Sequence, residues 1–149
     1  MKKLWMIAVA SMIIVSVCAN SNGGEQLESK YKTGQVWSYQ TREGEEKSRI
    51  CIVKVEKYDK NGFVYHIYVD SLKIKAPQMK KGVQEVLPHS PVSDKSLDAS
   101  VVKLIETKRD GLPDITEGYK HWKDDKGGVF TIPVREMIQI IENTLNRKQ

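Results

Sequence analysis

From residue 36 the apolar side chains recur at every second position. Trp37, Tyr39 and Thr41 fall on one side and Val36, Ser38 and Gln40 on the other, the period of an extended strand. Residues 42–47, charged and containing Gly44, form a turn. Residues 49–58 make a second strand, with Cys51, Val53 and Val55 on one face and Ile50 and Ile52 on the other. Asp59, Lys60, Asn61 and Gly62 then supply a hairpin turn, because Asn and Gly accept the positive φ that tight turns demand. Residues 63–75 form a third strand. Phe63, Tyr65, Ile67 and Val69 share one face; Val64, His66, Tyr68, Leu72 and Ile74 share the other. Residues 35–75 thus predict a three-stranded antiparallel meander, enriched in β-branched and aromatic side chains.

The period changes afterwards. Residues 76–92 carry Pro77, Pro88 and Pro91 and predict an irregular crossing, with room for a short strand at residues 83–87. Ser93 is placed to cap a helix with Asp94 in its first turn. Leu97, Val101, Leu104 and Ile105 form one apolar stripe, which extends that helix to about residue 108. A short helix follows Pro113, with Ile115, Tyr119 and Trp122 on one side and Gly127 or Gly128 as its stop. Residues 129–132 suit a short strand. Pro133 opens a last helix with Val134, Met137, Ile138, Ile141 and Leu145 along one side. An antiparallel sheet with matching amphipathic helices is an α+β two-layer domain. The expectation is a meander of three to five strands with two or three helices packed on one face, over residues 34–146.

The N-terminus is a different kind of segment. Lys2 and Lys3 precede an apolar run, residues 4–17, broken only by Ser11 and Ser16. At 14 residues it is shorter than the roughly 20 of a membrane span. Polar and small residues follow at once. These are the features of a secretory signal peptide, which places the protein in the periplasm. Cleavage after Ala19 gives a soluble mature chain with residues 20–33 as a flexible lead-in. The alternative is a lipoprotein anchored through Cys18, since Val15, Ser16, Val17 and Cys18 resemble a bacterial lipobox, although Val17 stands where Gly, Ala or Ser is usual. Contact with the membrane is expected only in that second case.

Composition adds limits rather than a function. The 149 residues are 40% hydrophobic and 29% charged, which suits one globular domain and excludes collagen-like and fully disordered chains. Removing the leader takes Lys2 and Lys3 with it, so the formal charge of +5 falls by two. The remaining charges alternate in sign along the chain, as on a solvated surface, and no nucleic-acid partner is expected. Two cysteines are too few for a disulfide framework or a four-thiolate zinc site. Cys51, between Ile50 and Ile52, reads as a buried structural thiol. The histidines His66, His89 and His121 lack the spacing of a zinc motif, and no nucleophile elbow, phosphate loop or dinucleotide fingerprint occurs. No cofactor and no metal site are expected.

The least ordinary local feature joins an aromatic strand to a charged tip. Trp37, Tyr39, Arg42, Glu45 and Glu46 form a candidate binding platform, since interfaces use Trp, Tyr and Arg as anchors; packing within the sheet is the competing use of the same aromatics. Gly34, Gln35, Val36, Trp37, Ser38 and Tyr39, with Thr41, Arg42, Gly44, Glu45 and Glu46 and the later Gly128, Val129, Phe130, Thr131 and Ile132, resemble a group of small uncharacterised bacterial exported proteins over residues 31–146. That resemblance implies a shared domain and carries no catalytic residues. The functional expectation is a non-enzymatic binding or interaction protein, of inhibitor or immunity type, with another protein as partner. The alternative is a small periplasmic hydrolase, for which His66, His89 and Glu46 are the first residues to test.

Overall fold

The computed structural model describes residues 28–58 and 62–147. The leader, Cys18, residues 20–27 and the turn residues 59–61 lie outside the described residues. Among the described residues, seven strands and three helices follow in the order β1 (Val36–Tyr39), β2 (Ile50–Lys57), β3 (Phe63–Val69), β4 (Ile74–Lys75), β5 (Val83–Gln84), β6 (Leu87–Ser93), α1 (Asp94–Asp98), β7 (Val101–Glu106), α2 (Thr116–Asp124) and α3 (Val134–Arg147). The protein is α+β. Five strands form one antiparallel sheet in the order β6-β3-β2-β1-β7, and β4 and β5 form a separate two-stranded ribbon.

The expected meander is present, with two changes that matter. First, β2 contains a bulge: Ile52 pairs with Ile67 but Lys54 pairs with His66, so Val53 is an extra residue. A bulge reverses which side chains face the core beyond it. Val55 therefore joins Ile50 and Ile52 on the core side, not Cys51 as simple alternation predicts. Second, the third strand stops at Val69. Ser71 takes a positive φ of 50°, the chain turns, and Leu72 and Ile74 enter the core from the next segment.

Two other expectations are corrected. The helix from residue 93 ends at Asp98, and residues 101–106 are a strand, not its continuation. Ser93 does cap the helix, accepting the Ser96 N–H at 3.3 Å. The β-branched Val101 and Val102 then favour extension, and β1 has a free edge that β7 fills, Trp37 pairing with Leu104. Residues 87–93, with two prolines, are a full strand rather than an irregular crossing. β6 is a sheet edge, the position where a missing N–H is tolerated. Residues 129–132 contribute only one parallel bridge, Val92 to Phe130.

The core lies on one face of the sheet. Tyr39, Ile50, Ile52, Tyr65, Ile67 and Val69 meet Leu97 of α1 and Val134, Met137 and Ile138 of α3. Tyr31 belongs to this core at 1% exposure, edge-on to Trp37 and to Tyr65. Its hydroxyl donates to Asp98 at 2.5 Å. The ordered domain thus begins before residue 34, and residues 31–33 are not part of a loose lead-in. α2 takes a different place: it rests on His66, which alternates with Tyr65 and Ile67 and points away from the core. No helix among the described residues is long and apolar enough to cross a membrane.

Cys51 is 2% exposed, and burial pushes its thiol above the usual range, opposed by Arg109. Cys51→Ala should cost about 1 kcal/mol, as a small core truncation does. Urea denaturation measures this, and the folded mature chain, cleaved after Ala19, should react with a thiol reagent only at its unfolding rate.

Candidate functional site

The segment between β1 and β2 is tied down by one ion pair. Arg42 grips Glu45 with two bonds, Nε to Oε2 at 2.9 Å and Nη2 to Oε1 at 2.6 Å. Glu45 is 2% exposed and also accepts the Lys73 N–H at 2.7 Å. Arg42 reaches Glu142 of α3 at 3.3 Å and Gln139 at 3.2 Å, and Glu142 accepts the Lys75 N–H at 2.7 Å. The turn, the ribbon strand β4 and α3 are thereby bolted together. Planar two-point contact between guanidinium and carboxylate fixes orientation as well as distance.

Glu45 of this bolt lines a cleft of about 670 Å³. Glu46, Lys47, Lys73, Lys81 and Glu85 line it together with the buried Leu72. A second cleft of about 270 Å³ adjoins it, sharing Glu45 and Lys73 and lined further by Arg42 and Glu142. Glu46 is exposed, and backbone hydrogen bonds from its own N–H and from Gly44 hold its carboxyl below the usual range.

Of the five expected binding residues, Arg42, Glu45 and Glu46 come together here, and Trp37 and Tyr39 do not. Trp37 is half-buried, its Nε1 donating to Gln35 at 3.2 Å. Tyr39 is core, with its hydroxyl 2.8 Å from Ser48 Oγ. The aromatics serve packing, and the charged tip serves the cleft.

A second cluster sits on the opposite face of the sheet. His66 is fully buried. Its Nε2 lies 2.9 Å from Glu56 Oε2 and its Nδ1 lies 2.9 Å from His89 Nε2. The two imidazoles are nearly coplanar, their planes 13° apart and their centres 5.1 Å apart. Tyr119 and Trp122 of α2 stand edge-on to His66 at 4.9 and 4.8 Å, and the Tyr119 hydroxyl donates to Glu56 Oε1 at 2.7 Å. Lys123 and Lys54 approach the same carboxylate at 3.6 and 4.0 Å. Gly118 allows this approach: a Cβ there would lie 2.6 Å from His89 Cβ. Burial pushes both histidines toward the neutral form. Glu56 opposes this at His66, while His89 is pushed down to about 4 by burial and by the neighbouring His66.

Of the residues expected for a hydrolase, His66 and His89 therefore meet, but Glu46 lies on the other cleft and Glu56 takes its place. Strict alternation puts Glu56 on the core side with Ile50 and Ile52. Only the bulge at Val53 turns it toward His66. On β6, His66 pairs with Pro91, and His89, two residues along, falls on the same face as His66. The sequence signal for Tyr119 and Trp122 was their helical spacing, but nothing local indicated which surface they would cover. Among the described residues, no group of three or more His, Cys, Asp or Glu side chains is arranged to hold a metal ion. Comparison with protein-family models, with curated proteins and with solved structures finds no match.

Proposed function

We propose that this chain is an exported, non-enzymatic binding protein that engages another protein through the cleft beside Glu46 and Lys73. The observation that carries the proposal is the rigid construction of that cleft. Its wall is set by the buried Arg42–Glu45 pair and the Lys73 backbone, so little ordering remains to be done on binding, and preorganisation is where affinity is gained. Both signs of charge line the cleft, which suits a protein surface better than a uniformly charged polymer. The leader at residues 1–19 supports export. Cleavage after Ala19 corresponds to a soluble periplasmic form, and acylation at Cys18 to the tethered alternative.

The hydrolase alternative draws on the hydrogen-bonded chain Glu56–His66–His89. It is the weaker reading because a general base must reach the substrate proton, and His66 is closed off beneath Tyr119 and Trp122. The test is affinity capture from periplasmic extract with the tagged full chain, alongside a Lys73→Glu/Lys81→Glu variant. A protein retained by the parent and reduced at least tenfold with the variant is the expected result. Nothing retained above background, or equal retention by both, rejects the cleft as a binding surface.

A further inference from the structure

The contact between His66 Nδ1 and His89 Nε2, 2.9 Å long, needs a hydrogen on one nitrogen and a lone pair on the other. Neutral rings meet this requirement. Glu56 accepts the His66 Nε2–H, which leaves His66 Nδ1 as acceptor for the His89 Nε2–H. One added proton is accommodated, because an imidazolium can still donate to a neutral imidazole. A second is not. Both rings then carry hydrogens on all four nitrogens, and two cations face each other N–H to N–H.

α2 is seated on this pair. The helix has no fully buried residue of its own. Its attachments include Tyr119 and Trp122 against His66, the Tyr119 hydroxyl and Lys123 on Glu56, and the Gly118 backbone against His89. The charged and titratable groups around the pair come from every element in contact with it. β2 supplies Glu56 and Lys54, α2 supplies Tyr119 and Lys123, and β3 and β6 supply the two histidines themselves. With both rings protonated, four cations would gather around one carboxylate. The segments on either side of α2, residues 107–115 and 125–133, contain no helix or ladder strand, so the helix can move without breaking the five-stranded sheet.

We propose that the His66–His89 pair is an acid-operated latch: at neutral pH their hydrogen bond completes the seat of α2, and double protonation releases α2 from the sheet while the α3 side of the core stays packed. This goes beyond the binding role of the opposite cleft and does not depend on it. Burial holds both rings below their ordinary value of 6.5, His89 at about 4. The released state, with ordinary rings, therefore binds more protons between those values. Docking of α2 is full above about pH 6.5 and is lost as pH falls toward 4.

Hydrogen–deuterium exchange on the full chain, corrected for the intrinsic pH dependence of exchange, tests the latch. Between about pH 7.5 and pH 4.5, amides of residues 116–124 should lose protection at least tenfold while those of residues 134–147 keep theirs. His89→Gln preserves an N–H donor toward His66 and cannot take the second proton. It should hold α2 protection at acid pH within about threefold of its neutral value. Should that variant misfold, the ring resonances of the parent decide: both His66 and His89 must titrate in the window where α2 opens. Loss of protection in α2 and α3 together, retained protection of α2 at acid pH, acid opening of α2 in a folded His89→Gln variant, or a ring that stays neutral while α2 opens would each overturn the proposal.

Discussion

Replacing Ile138 with Asp should leave a chain with no cooperative unfolding transition near physiological temperature. Ile138 has no exposed surface and lies in the core with Met137 and Val134. The substitution loses about 1.5–3 kcal/mol of apolar burial. It also strands a carboxylate where no described partner waits, a cost of further kcal/mol whether the group ionises or takes up a proton. The total of about 5 kcal/mol matches the lower end of a domain's whole net stability. Deleting residues 134–149 should do the same, since it removes all three core side chains together with the Glu142 contacts to Arg42 and Lys75. Ile141 is only half-buried, so Ile141→Asp can turn its carboxylate to water and should cost about 1–2 kcal/mol. Circular dichroism against temperature separates these cases. A truncated chain melting at the parent's midpoint would make α3 an appendage.

Glu45→Ala should be the next most damaging single change, at about 3 kcal/mol, because it breaks a buried ion pair by removing one partner. Arg42, itself 15% exposed in its side chain, keeps Glu142 but loses its two-point partner, and the Lys73 N–H loses its acceptor. Arg42→Ala/Glu45→Ala should cost less than Arg42→Ala and Glu45→Ala added together, since neither member is then left alone. Urea unfolding of the four proteins measures the coupling. A cost below about 1 kcal/mol for Glu45→Ala would mean that the pair contributes no more than an exposed one. Glu46→Ala, at the exposed lip of the same turn, should leave the unfolding midpoint unchanged and lower partner capture instead.

The neighbouring Glu45 and Glu46 illustrate how far local pattern reaches. Both sit in a charged turn and read alike in sequence. The fold buries one as a bolt and leaves the other at a cleft, because Lys73 and α3 arrive from residues far along the chain. His66 and His89 show the same limit from the other side. Each reads as an isolated histidine, one in a strand and one between prolines. They meet because β3 and β6 are neighbours in the sheet, a pairing between segments separated by the whole β4–β5 ribbon.

Features set by short-range physics were legible from the sequence alone. The period-two strands β1, β2 and β3, the Ser93 cap, the helical spacing of Tyr119 and Trp122 and the apolar stripe of α3 each follow from side-chain direction or local hydrogen bonding. Together they determined the α+β class. Tertiary structure decided the rest, where two local choices were close in energy and a distant partner tipped them. Val101, Leu104 and Ile105 fit a helix stripe, but the β-branched Val101 and Val102 favour extension, and the open edge of β1 selected the strand. Residues 87–93 carry prolines that argue against a central strand, and an edge position beside β3 made them acceptable. The bulge at Val53 leaves no mark in the periodicity of β2, yet it moves Glu56 from the core side to His66. Alternation is a property of one strand, whereas register belongs to a pair, so the side chain that completes a cluster is named only once both strands are in place.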